Sequence, residues 1–200
     1  MSAPDRASPM AGALAPGRHG ASDGGAVAIV ERRYDLVQIS ARRGRAADVA
    51  AAMQSAFALA LPGPRRSARS GDVMALWLQP DGWLLVAPRG PEGALARAAK
   101  SAAGAAGSIV DQSHGRSVIG LSGVRAAWVL NKLCRLDLHP RAAGPGFVAA
   151  TPVAELACVV HQLDAVPSYD LIVFSTFVRS FVASLTHAAE EVGFTFKPSG

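Results

Sequence analysis

Two stretches of this chain spell the same local pattern, and that duplication limits the folds open to it more than any single residue does. Ile39-Ser40-Ala41 leads to Arg45-Ala46-Ala47-Asp48-Val49, as Leu121-Ser122-Gly123 leads to Arg125-Ala126-Ala127-Trp128-Val129. Trp83-Leu84-Leu85-Val86 stands before a helical stretch, as does Asp170-Leu171-Ile172-Val173. Each half reads as strand, helix, strand, strand, helix, the ferredoxin-like order. The pattern predicts an α+β protein with two such repeats.

The individual elements follow from periodicity. Tyr34 to Ser40 is a predicted strand, and residues 45–60 place Val49, Met53, Ala56 and Phe57 at helical spacing until Pro62 and Pro64 end the run. Val73 to Leu78 and Trp83 to Ala87 are strands joined by Gln79-Pro80-Asp81-Gly82, whose Asp-Gly pair marks a tight hairpin. An alanine-rich helix over 91–106 and a strand from Ser108 to Asp111 complete the half. In the second half, strands are predicted at Ser117–Leu121, Phe147–Thr151, Leu156–Leu163 and Tyr169–Phe174, with a helix over 124–134. The last helix carries Phe177, Phe181, Leu185, Ala188 and Val192 on one face. Residues 1–30, rich in Ala, Gly, Pro and Ser, offer too little large apolar surface to offset the entropy of ordering and are predicted disordered. The halves are set at 31–113 and 114–196, together one compact domain.

Half of the 200 residues are hydrophobic, enough to bury a core, and the net charge of +5 sits partly in short arginine groups. Those groups lack interleaved aromatic platforms, so they read as solvated loop ends rather than a nucleic-acid surface. Cys134 and Cys158 form no CxxC pair, which excludes a disulfide scaffold and fits a reducing cytoplasm. No apolar run is long enough to span a bilayer, and the N-terminus lacks the basic-then-apolar order of a secretory signal.

Chemistry is sparse. Asp111-Gln112-Ser113-His114-Gly115-Arg116 gathers an acid, a serine and a histidine, but alternation in an extended stretch puts His114 on the face opposite Asp111 and Ser113. No GxSxG elbow is present, and local backbone hydrogen bonding is the better account. The five histidines show no metal-ligand spacing. Gly144-Pro145-Gly146-Phe147-Val148-Ala149 matches GxGxxA only formally: it precedes a strand, and Pro145 lacks the N–H that a phosphate cradle uses. Trp77, Trp83 and Trp128 are candidates for a ligand pocket, for core or for interface. No residue is assigned a catalytic, cofactor or metal role. Asp111, Ser113, His114, Arg116, Trp77, Trp83, Asp137, His139 and Arg141 are assigned structural or interface roles.

Several segments resemble one family. The hairpin Trp77-Leu78-Gln79-Pro80-Asp81-Gly82-Trp83-Leu84-Leu85-Val86 resembles the "WLGPDEWLL" hairpin of the sarcosine oxidase gamma subunits. Val110 to Arg116 resembles their "VDLSHGR", Leu121 to Ala126 their "LSGPRA", and Cys134 to Arg141 their "CxLDLHPR", with Pro145-Gly146 following as their "PG". The likeness runs in order from about residue 31 to 194. It implies the fold of the folate-dependent aminomethyltransferases in shortened form. It also implies a non-catalytic assembly subunit of a heterotetrameric oxidoreductase acting on CH–NH donors. That enzyme oxidises sarcosine to glycine, yielding hydrogen peroxide and, with tetrahydrofolate, methylenetetrahydrofolate. FAD, FMN, NAD, tetrahydrofolate and zinc are then expected in partner subunits, the partners being alpha, beta and delta with alpha in direct contact. The aminomethyltransferases' Gly-Gly-x-x-Asp-Asp stretch is replaced here by Val153-Ala154-Glu155-Leu156-Ala157-Cys158. The Lys-Gly-Cys-Tyr-x-Gly-Gln segment of tRNA-modifying relatives is not reproduced at Lys132-Leu133-Cys134-Arg135. The alternatives are a self-standing folate-binding or aminomethyltransferase-like protein and, more weakly, a basic RNA-binding module.

Overall fold

The computed structural model describes residues 8–21 and 27–198. Its strands are β1 (Gly17–His19), β2 (Val27–Arg32), β3 (Tyr34–Ala41), β4 (Ser67–Ser70), β5 (Val73–Gln79), β6 (Gly82–Pro88), β7 (Gly107–Asp111), β8 (Arg116–Ser122), β9 (Val148–Val153), β10 (Leu156–Asp164), β11 (Ser168–Phe174) and β12 (Phe194–Lys197). The helices are α1 (Ala46–Phe57), α2 (Ala94–Ala103), α3 (Ala126–Asn131) and α4 (Val178–Ala189). The duplication is real in three dimensions. β3-α1-β4-β5-β6-α2-β7 is repeated as β8-α3-β9-β10-β11-α4-β12.

The first repeat forms its own five-stranded sheet in the order β4-β5-β6-β3-β7. The second lies in a seven-stranded sheet ordered β1-β12-β2-β8-β11-β10-β9. The two orders agree except for two additions: β2 is wedged between β8 and β12, and β1 lies on the far edge of β12. β2 runs antiparallel to β8 and parallel to β12. Register sharpens the internal alignment. Ile39 faces Trp83 across β3 and β6, and Leu121 faces Tyr169 across β8 and β11. Trp83 is therefore the counterpart of Tyr169, one residue from the Asp170 suggested by the sequence.

Three apolar clusters define the layers. Val37, Ile39, Ala75, Trp83 and Leu85 pack on Val49, Met53, Ala99 and Ala103 of α1 and α2. Leu171, Val173 and Val160 pack on Val129, Leu130, Phe181 and Leu185 of α3 and α4. Between the sheets, Leu36, Met74, Leu76, Leu84 and Val86 of the first meet Val118, Val148, Val159 and Ile172 of the second. Successive side chains on a strand point to opposite faces, so both faces of β6 and β11 are buried. That is why WLLVA and YDLIVF read as continuous apolar runs rather than alternating ones.

Residues 1–30 were expected to be disordered, and the described part of them is not. Met10 is fully buried in the second helix-side core, with Ala13 and Leu14 packed beside it. Gly17, Arg18 and His19 pair with Phe196, Thr195 and Phe194, the ring of His19 stacks 5.3 Å from that of Phe194, and Val27 and Ile29 are core residues of β2. Few apolar groups suffice because they dock on a sheet that already exists. Gly20 permits the close approach: at φ +79°, a Cβ there would stand 2.4 Å from the carbonyl oxygen of Glu190. Residues 1–7 and 22–26 lie outside the described residues.

Beyond β1 and β2, two more strands escaped the sequence reading. β4 (SARS) is polar and short, so the first repeat, like the second, has three strands between its helices rather than two. β12 (FTFK) follows a helix expected to run to Val192 that ends at Ala189. Phe177, assigned to the buried stripe, lies in a 3-10 turn before α4 and is 48% exposed.

Candidate functional site

The segment from Asp111 to Arg116 is the turn that joins the repeats, leaving β7 at Asp111 and entering β8 at Arg116. The Asp111 carboxylate accepts the N–H of Ser113 at 2.9 Å. The N–H of Gln112 donates to the Leu36 carbonyl at 2.7 Å, while the Gln112 carbonyl accepts the N–H of Arg116 at 3.0 Å. That carbonyl would have accepted the N–H of Leu36 had the ladder continued. The buried Ser113 hydroxyl oxygen accepts it instead, at 3.0 Å. The exposed His114 stands beside Glu92, Nε2 to Oε1 3.3 Å. The three residues of the apparent triad serve three different partners.

The other residues singled out by sequence fall in two places. Trp77 and Trp83 are cross-strand neighbours on the α1–α2 side, where the Trp83 indole N–H donates to the Pro62 carbonyl at 2.9 Å. Trp128 stands apart on α3, with Lys132 Nζ 3.7 Å from its ring centre, so the tryptophans do not converge on a pocket. In the loop after α3, the Asp137 carboxylate accepts the N–H of His139 at 2.9 Å, and His139 Nδ1 accepts that of Arg141 at 3.2 Å. These contacts hold the loop while Leu138 is buried in the core. Both thiols are pushed up by burial, and Cys134 Sγ donates to the Leu130 carbonyl at 3.4 Å. Gly144 to Ala149 is a turn leading into β9.

A set of polar residues is buried on the face between the sheets; the sequence reads His161 as a satisfied core or edge histidine, while Asp170 and Arg32 were missed. Asp170, 1% exposed, stands beside Arg32 of β2, Oδ1 to Nε 2.7 Å, in an ion pair rather than a linear hydrogen bond. Burial raises its pKa to about 6 against the opposing pull of Arg32. Gly120 makes the room, since a Cβ there would lie 2.7 Å from Arg32 Nε. His161 of β10, 3% exposed, joins the sheets through Nε2 and the Ser67 hydroxyl of β4, 3.0 Å apart. Burial, with help from Arg69, lowers its pKa to about 4, so the ring is neutral near pH 7. The detectable signal was a lone charged or titratable residue inside an apolar strand, in YDLIVF and CVVHQL.

At one end the sheets part. There a cleft of about 610 Å³ opens between Gln38, Leu78 and Gln79 of the first sheet and Arg116, Val159 and Phe174 of the second. Its volume falls within the range of ordinary binding pockets. Arg116 and Phe174 form the last rung of the β8–β11 ladder, and the guanidinium carbon lies 4.5 Å from the ring centre. Burial lowers the pKa of Arg116, and among the described residues its Nε has no hydrogen-bond partner. Glu155, exposed at the β9–β10 turn, also lines the cleft without forming an ion pair to Arg116. Such an arrangement can hold an anionic group against an aromatic wall. Among the described residues no group of three or more His, Cys, Asp or Glu is arranged to hold a metal ion.

Comparison with known proteins places the chain. The model of the sarcosine oxidase gamma subunit family matches residues 43–191. The sarcosine oxidase subunit gamma of an Arthrobacter species is 36% identical over 144 residues, 70% of each chain. That of Corynebacterium sp. strain U-96 is 39% identical over 97 residues, 46% of each chain. A chain of the heterotetrameric sarcosine oxidase from Corynebacterium sp. U-96 superposes with a TM-score of 0.80 at 29% identity, covering 94% of this chain and 96% of that one. Aminomethyltransferase T of the glycine cleavage system from Bartonella henselae gives a TM-score of 0.65 at 13% identity, covering 88% of this chain and 48% of that one, a likeness of fold alone. The match over residues 43–191, which takes in the joining turn, makes this chain a member of the sarcosine oxidase gamma subunit family.

Proposed function

We propose that this chain is the gamma subunit of a heterotetrameric sarcosine oxidase, holding that complex together without carrying its chemistry. The observation that supports this most is the likeness to a chain of such an enzyme over 94% of the present chain. The joining turn points the same way, because Asp111, Ser113 and His114 each serve a separate structural contact. On this reading FAD, FMN, NAD, zinc and the tetrahydrofolate site belong to partner subunits, alpha being the direct contact, in the cytoplasm. The partners oxidise sarcosine to glycine with release of hydrogen peroxide, and methylenetetrahydrofolate forms when tetrahydrofolate is present.

Co-expression with the neighbouring sarcosine oxidase genes, followed by affinity purification through this chain, tests the reading. Recovery of yellow, flavin-containing partners is expected, whereas the chain purified alone shows no flavin absorbance. Sarcosine-dependent peroxide release by the isolated chain would overturn the proposal. Saturable tetrahydrofolate binding by the isolated chain would favour a self-standing folate protein.

A further inference from the structure

We propose that the cleft between the two sheets receives one acidic side chain of a partner subunit, an Asp or Glu flanked by apolar residues, with Arg116 as its counter-charge. The inference rests on the gamma-subunit reading and adds to it a surface and the chemistry of what docks there. Arg32, Arg45 and Lys132 are each ion-paired within the molecule, to Asp170, Asp48 and Glu191. Arg116 is not, although it is half-buried and its Nε is shut off from solvent. A half-buried guanidinium with no ion-pair partner carries a desolvation cost, and an incoming carboxylate offsets part of it. Arg also holds a carboxylate with two parallel N–H donors, which fixes the orientation of what docks.

The surroundings define the rest of the occupant. Phe174 forms the wall behind the guanidinium and is 38% exposed, and Phe177, three residues on, is 48% exposed. The cleft thus presents a partly exposed aromatic ring beside its guanidinium. Aromatic residues and arginine are enriched at protein–protein hot spots. Gln38 and Gln79 on the opposite wall offer amides to the segment's backbone. Glu155 at the rim disfavours a dense run of acids, so one carboxylate fits and a polyanion does not.

The test uses the full chain titrated with the purified flavin-bearing subunits of the same enzyme. Arg116→Gln and Phe174→Ala are each expected to weaken assembly at least tenfold, the former losing the salt dependence of the wild-type interaction. Val166→Asp, in the exposed turn at the far end of β11, is expected to leave affinity unchanged. Thermal unfolding of the isolated chain separates docking from folding. Removing an unpaired charge leaves the Arg116→Gln midpoint equal to or above that of the wild type, whereas a purely structural role lowers it. Undiminished assembly of both cleft variants overturns the cleft while leaving the gamma-subunit reading intact. A wild-type chain that captures no partner overturns both. Binding of free acetate to the isolated chain, lost in Arg116→Gln while assembly is unaffected, would also overturn a polypeptide occupant.

Discussion

Single side chains in this molecule replace backbone where backbone runs out. Ser113 finishes the β3–β7 ladder by accepting the Leu36 N–H that the Gln112 carbonyl cannot reach. Ser113→Ala leaves a buried N–H without that acceptor and should cost about 1–3 kcal/mol in denaturant unfolding of the isolated chain. His161 and Asp170 predict a pH signature of opposite signs. The pKa of His161 is lowered to about 4, so its contribution to stability is complete above its unfolded value and is lost as pH falls from about 6.5 toward 4. That of Asp170 is raised to about 6, so its contribution is complete below its unfolded value and is lost as pH rises from about 4 through 6. The two slopes oppose one another in the wild type. Asp170→Asn should therefore lose stability relative to wild type on going from pH 7 to 4.5, by about 2 kcal/mol, and His161→Gln should gain it. Unfolding midpoints at the two pH values decide the matter; parallel shifts in both variants would refute it. Gly120→Ala pushes a methyl against Arg32 and Val30 and should destabilise by about 1–3 kcal/mol in the same measurement.

At the scale of elements, long apolar periodicity was readable and edge pairing was not. The strands at Val73–Gln79, Gly82–Pro88 and Ser168–Phe174 and the stripe of α4 stand out because burial demands bulky residues at regular spacing. β1, β4 and β12 are three or four residues long; β1 and β12 depend on partners distant in the chain, and β4, though it pairs with the adjacent β5, is a polar edge strand that no apolar run marks. The cleft was equally hidden. Gln38 meets Arg116 and Glu155 only because two sheets face one another, and their separate strands say nothing of that distance. The N-terminal segment shows the same limit: its composition argued for disorder, while Met10 is fully buried against a core made by the other end of the chain. Met10→Ala should lower unfolding stability by about 2–5 kcal/mol, a loss that a disordered tail would not produce.

Across the whole molecule, the two repeats differ in independence. The first sheet is made from residues 34–111 alone, whereas the second holds β2 between β8 and β12. A fragment spanning residues 33–113 should therefore show cooperative unfolding. A fragment spanning 114–198 should lack it until a peptide carrying Val27–Arg32 is added, and circular dichroism of the fragments checks both outcomes. During synthesis on the ribosome, β2 emerges before either repeat and remains unmatched on one side until β12, the final strand of the second repeat, is released. The second sheet thus closes only after both repeats have been made, around a strand that precedes them. A chain truncated before Phe194 would leave one side of β2 open to water. The exposed edge of β2 then marks a chain whose second repeat is unfinished.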